Sequence, residues 1–139
     1  LFIDNTFDDF RLIEGSVSTF ATYDITGRVN KNFYDDKSNL PDYSSWSMLK
    51  PCFFYLIKGK RLPLSFKIVL CCPDNIRQDL SSDNTCTFLV NVRFTGNTLS
   101  VTTGYSRSIF SLDKEPEKSW DEYVLSFFNS HGFDYERDI

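Results

Sequence analysis

The sequence predicts an α+β fold: an antiparallel, twisted sheet of five to six strands with two main helices packed on one face. Three observations predict it. Apolar and polar residues alternate along 64–72 and again along 86–95, the period-two pattern of half-buried strands. Gly96-Asn97 then joins the second run to a third, 98–103, as a two-residue hairpin signal. In 46–58 and 116–131 the apolar residues recur at three- and four-residue spacing instead, the pattern of helices with one apolar stripe. Elements that are apolar on one side must bury that side against another layer, which here means helices on a sheet.

The elements follow in order. Residues 10–13 and 17–25 read as two short strands joined at Glu14-Gly15-Ser16, with Val17, Thr19, Ala21 and Tyr23 on one side. Residues 24–27 carry a turn signal. Residues 31–43 are polar, hold Pro41 and read as a loop with one helical turn near Phe33. Trp46, Leu49, Phe53, Leu56 and Ile57 share a helical face, Ser44 or Ser45 caps its start, and Gly59 suits the residue past its end. Pro51 lacks an N–H and clashes one turn back, so a short turn up to Leu49 and a helix starting near Pro51 are expected.

Leu64, Phe66, Ile68, Leu70 and Cys72 then point to one face and Lys67 to the other. Residues 74–80 fit a short helix capped by Asp74. Cys86, Phe88, Val90, Val92 and Phe94 point inward, Asn91 and Arg93 outward, and Leu99 and Val101 inward on the return strand. Gly104 suits a bulge or bend, and residues 107–112 a further strand. Pro116, Glu115 and Glu117 suit the start of the last helix; Trp120, Tyr123, Val124, Phe127, Phe128 and His131 form its stripe, and Gly132 ends it. The layout of 10–29 resembles that of 90–110, which suggests two βαββ-like units with the first truncated.

Composition narrows the function. With 41% apolar and 24% charged residues and a net charge of -4, the chain is a folded one. Its 139 residues make one domain, 1–139, expected to lack a short native N-terminal segment because the chain starts at Leu1. No run approaches 18 apolar residues and no Lys/Arg-led apolar leader is visible. Aromatic residues make up 17%, and without a patterned exposed run they read as core.

Four cysteines, Cys52, Cys71, Cys72 and Cys86, show no closely spaced ligand pairs, and His131 is the only histidine. Cys71 and Cys72 on one strand point to opposite faces, so no metal site is expected. No cofactor motif is present either. Reduced thiols in a cytoplasm are the expectation.

Charge is unevenly spread. Residues 43–73 contain no Asp or Glu but hold Lys50, Lys58, Lys60, Arg61 and Lys67. The cations near 58–61 suit a helix C-terminus, whose dipole they oppose. They also suit a patch for an acidic partner.

Several segments resemble a known group. Tyr23-Asp24-Ile25-Thr26-Gly27-Arg28-Val29-Asn30 with Phe33-Tyr34-Asp35 is one, and Trp46-Ser47 belongs with it. Leu56-Ile57-Lys58-Gly59-Lys60 with Pro63-Leu64-Ser65-Phe66-Lys67 is another. The third is Thr102-Thr103-Gly104, Ile109-Phe110-Ser111-Leu112-Asp113-Lys114 and Trp120-Asp121-Glu122. Together they resemble a family of uncharacterised single-domain proteins from anaerobic Firmicutes of the gut Clostridia type. The resemblance implies a bacterial, cytoplasmic protein of unknown function whose relatives begin with a further strand and helix. It carries over no catalytic residue.

The functional expectation is a non-enzymatic binding or interaction module. Its contact residues are Lys58, Lys60, Arg61 and Lys67, and its partner is an acidic protein or a nucleic-acid backbone. An alternative from the suspected repeat is a sliding-clamp-like scaffold, which requires the chain to oligomerise. A second alternative is an enzyme using Asp24, Arg28, Tyr105, Arg107 or Asp113 at strand ends and turns.

Overall fold

Alternating side chains build a sheet whose two faces have opposite chemistry. The computed structural model describes residues 6–37, 39–59, 61–81, 87–106, 115–132 and 136. Five strands and three α-helices lie in them: β1 Arg11–Ser18, β2 Thr22–Thr26, α1 Trp46–Ile57, β3 Ser65–Cys71, α2 Asp74–Leu80, β4 Thr87–Thr95, β5 Thr98–Ser106 and α3 Glu115–Ser130. A 3-10 turn occupies Lys31–Phe33, where one helical turn is expected. The sheet order is β2-β1-β3-β4-β5 and every pairing is antiparallel. The architecture is the expected α+β sheet under helices. β3-α2-β4-β5 has the expected β-α-β-β order, but a second such unit is not shown.

One face is apolar in successive rows. Tyr23, Val17, Phe66, Phe94 and Leu99 lie opposite one another across all five strands, followed by Ile25, Gly15, Ile68, Val92 and Val101. Helix α1 seats the buried Phe53 ring over Gly15. Helix α3 lays Trp120 against Phe88, and α2 adds Ile76 and Leu80 to the same core. All three helices therefore pack on this face. The N-terminal turn joins them through Phe7 and Phe10, which meet the Phe127 ring.

Sequence and structure differ at several places. Glu14-Gly15-Ser16 is not a turn; β1 runs through it, and the hairpin closes at 19–21. A bulge between Leu12 and Glu14 shifts the pairing and brings Gly15 to the buried face, where Phe53 occupies the space of a side chain. Residues 24–26 extend β2, so the turn begins only at Gly27. Helix α1 is continuous through Pro51. The missing N–H leaves the Ser47 carbonyl without its helical partner, and Ser47 is exposed, so the carbonyl is not sealed from solvent. Ser45 is the N-cap residue but makes no side-chain cap bond; its hydroxyl lies 2.9 Å from that of Ser47. Pro73, not Asp74, occupies the cap of α2, and Asp74 is the acid in its first turn.

Leu64, Leu99 and Val101 face the core side yet are 72%, 57% and 38% exposed, because the helices do not reach that corner of the sheet. Gly96 takes φ 63° in the expected hairpin turn. Gly132, at φ 72°, follows α3. His131 closes that helix by donating its ring N–H to the Phe127 carbonyl at 2.8 Å. The expected strand over 107–112 lies outside the described residues, as does Cys86.

A half-buried ion pair ties the N-terminal turn to α1: Lys50 Nζ to Asp8 Oδ1 at 2.7 Å, with side chains 15% and 28% exposed. A charge-assisted bond this short and shielded contributes more than a surface pair. Asp8→Asn is expected to cost about 1–2 kcal/mol in urea unfolding at low salt. The cost should shrink as salt rises.

Candidate functional site

The second face of the sheet is polar except towards the end where Val69, Cys71 and Leu89 lie, and among the described residues no helix packs on it. The same antiparallel register that assembles the core assembles this face. Thr22, Ser18, Ser65, Thr95 and Thr98 form one row of hydroxyls across five strands. The next row is Asp24, Ser16, Lys67, Arg93 and Ser100. The third is Thr26, Glu14, Val69, Asn91 and Thr102.

Lys67 and Arg93 are therefore direct cross-strand partners, with side chains about 5 Å apart at their base. Lys67 is half-buried and Arg93 exposed. No salt bridge joins either to a carboxylate among the described residues. Like charges directly opposite each other destabilise a sheet, by up to about 1 kcal/mol. Beside them, Glu14, Ser16, Asp24, Thr26 and Lys67 line a shallow cavity of about 470 Å³. The face thus has a cationic centre on β3 and β4 and an acidic margin on β1 and β2, with hydroxyls along both.

The residues expected to form the site separate. Lys67 lies at the centre of this face. Lys58 is the C-cap residue of α1, its ammonium 5.0 Å from the Tyr55 ring centre, and Arg61 is exposed in the connection to β3. Lys60 lies outside the described residues. Arg93 is the residue sequence reasoning missed. The alternation in β4 marks it as outward, but only the register with β3 reveals its partner.

The candidates for catalysis are dispersed. Asp24 is on the polar face, Tyr105 is half-buried on the other face with its ring stacked on Phe88, and Arg28 stands over the Tyr43 ring. Arg107 and Asp113 lie outside the described residues. Cys72 is buried in the core and Cys71 faces the opposite way, as alternation requires. The Cys71 thiol donates to the Cys72 carbonyl at 3.4 Å. Among the described residues no three His, Cys, Asp or Glu side chains converge as a metal site. None of their helices is long and apolar enough to cross a membrane.

No curated protein and no solved structure matches the chain. A family model matches residues 1–136, and by that match the chain belongs to a family of unknown function, DUF5721.

Proposed function

We propose that the chain is a binding module whose polar sheet face takes an acidic segment of a protein partner. The observation that carries this reading is the Lys67–Arg93 pair. Two cations held side by side, without a carboxylate partner among the described residues, cost stability in the free protein and recover it when an anion lies across them. The surrounding Ser and Thr hydroxyls donate to carboxylates, and the sheet face, with no helix on it among the described residues, accommodates an extended chain.

Glu14 and Asp24 favour a peptide over a nucleic-acid backbone. They bound the cationic strip on the β1–β2 side. A nucleic-acid backbone, charged at every step, would have to run over them or turn away. A short acidic peptide segment fits between.

The test is binding of a labelled oligoglutamate peptide, followed by fluorescence anisotropy over a salt series. Lys67→Ala and Arg93→Ala should each weaken binding several-fold and flatten its salt dependence. Lys67→Glu with Arg93→Glu should abolish it. Lys58→Ala with Arg61→Ala should have the smaller effect. Binding that follows Lys58 and Arg61 but ignores Lys67 and Arg93 would sink this reading. A single-stranded oligonucleotide that outcompetes the peptide would reassign the partner.

A further inference from the structure

A second polar cavity lies beyond the end of β2, away from Lys67 and Arg93. It measures about 460 Å³ and is lined by Arg28, Val29, Asn30, Lys31, Asn32 and Asp42. That volume falls in the range of small-molecule sites. Two antiparallel backbone segments frame it. Ser44 N–H donates to the Gly27 carbonyl at 2.7 Å and Val29 N–H to the Asp42 carbonyl at 2.8 Å. The 3-10 turn closes the third side, with Phe33 N–H donating to the Asn30 carbonyl at 3.0 Å.

The side chains on this frame are set for an anion. The Arg28 guanidinium stands 5.4 Å from the Tyr43 ring centre and within 3.5 Å of its hydroxyl. That contact engages one nitrogen and leaves the other donors of the fork for a ligand. Among the described residues Arg28 has no carboxylate partner. Lys31 meets Asp42 only at 3.7 Å, with both side chains mostly exposed, a pair an incoming anion readily shares. Asn32 accepts from Lys37 Nζ through its oxygen at 3.3 Å, which leaves its amide N–H groups to donate. The next residue on the same turn, Phe33, does not line the cavity, but its ring is 83% exposed and meets only the edge of Tyr34 at 5.4 Å, so a face of it is open to a planar group.

We infer that this cavity binds a phosphate monoester attached to a planar ring, the chemistry of a nucleoside monophosphate or of the 5′ end of a nucleic-acid strand. Arg28 and Lys31 hold the phosphoryl oxygens, Asn32 donates to them, and the ring stacks on Phe33.

The experiment is isothermal titration of the full chain with AMP, adenosine, inorganic phosphate and a 5′-phosphorylated trinucleotide. AMP is expected to bind measurably more tightly than phosphate, and adenosine weakest. Arg28→Lys keeps the charge and loses the fork, and should weaken AMP about tenfold or more. Phe33→Ala should weaken AMP but leave phosphate unchanged; the ring is exposed, so the fold is expected to stay intact, and circular dichroism checks this. Lys67→Glu with Arg93→Glu should leave AMP binding intact, which separates this site from the sheet face. Tighter binding of the trinucleotide identifies a strand end as the source, and equal binding identifies the free monoester. No saturable AMP binding, or AMP binding indifferent to both Arg28→Lys and Phe33→Ala, overturns the inference.

Discussion

Gly27→Ala is expected to destabilise the protein by more than about 4 kcal/mol, the range of backbone strain and broken cores. A methyl group there would overlap the Leu12 carbonyl oxygen and sit 2.7 Å from its carbon. Neither neighbour is a flexible side-chain end. Both belong to the bulged stretch of β1, fixed by Gly27 N–H donating to Ile13 and Leu12 N–H donating to Ser44. Relief requires the segments 12–14, 27 and 43–45 to part. Total stabilities run to about 5–15 kcal/mol, so the variant loses a large share of its folded population. Gly104→Ala is the matched comparison. Its methyl would meet Leu89 Cβ at 3.3 Å in a half-buried strand position, a contact small shifts relieve. Its effect should stay within about 1 kcal/mol. Urea denaturation of the two variants checks the pair. Equal midpoints would mean that the bulge yields.

Trp120→Ala is expected to cost about 3–5 kcal/mol, the ordinary loss for a buried tryptophan. Trp120 is fully buried, with ring centres 5.4 Å from Phe88 and 5.6 Å from Tyr123. It is the principal contact of α3 with the sheet, and its indole N–H donates to the Leu89 carbonyl at 2.9 Å. Trp120→Phe separates the two contributions. It keeps most of the ring and removes the donor, so a loss of about 0.5–1.5 kcal/mol is expected, the Leu89 carbonyl keeping its place in the ladder with Gly104. Thermal unfolding of both variants measures the split. A loss below about 1 kcal/mol for alanine would show that α3 is not held through this ring.

Both residues also show what is legible in a sequence. Trp120, Val124 and Phe128 stand on one helical stripe, and their burial follows from spacing alone. The same holds for β3 and β4, where Phe66, Ile68, Leu70, Phe88, Val90 and Val92 alternate without interruption. β1 is not legible in this way. Its bulge breaks the alternation, and Gly15 looks like a turn residue when it is a gap filled by Phe53. Pro51 misleads for a different reason: local rules count the lost hydrogen bond but not that it falls at an exposed residue, Ser47, where solvent access lowers its cost. Leu99 and Val101 face the apolar side as alternation requires, but a strand's pattern says nothing of how far the covering helices extend.

The candidate site divides along the same line. That Lys67 and Arg93 point outward is readable strand by strand. That they oppose each other depends on the pairing Ser65↔Thr95, set by the fold around α2 and written in neither strand. The Arg28 cavity depends on residues 27–29 pairing with 42–44 across a polar loop, where no periodicity exists to read.

The central claim is that the polar sheet face is the binding surface. The most direct measurement is amide chemical-shift mapping of the labelled chain titrated with oligoglutamate. The account predicts shifts concentrated at Lys67, Arg93, Ser16 and Ser100, fading as salt is added. Shifts confined to 58–62, or no shifts on β3 and β4 at any peptide concentration, would contradict it.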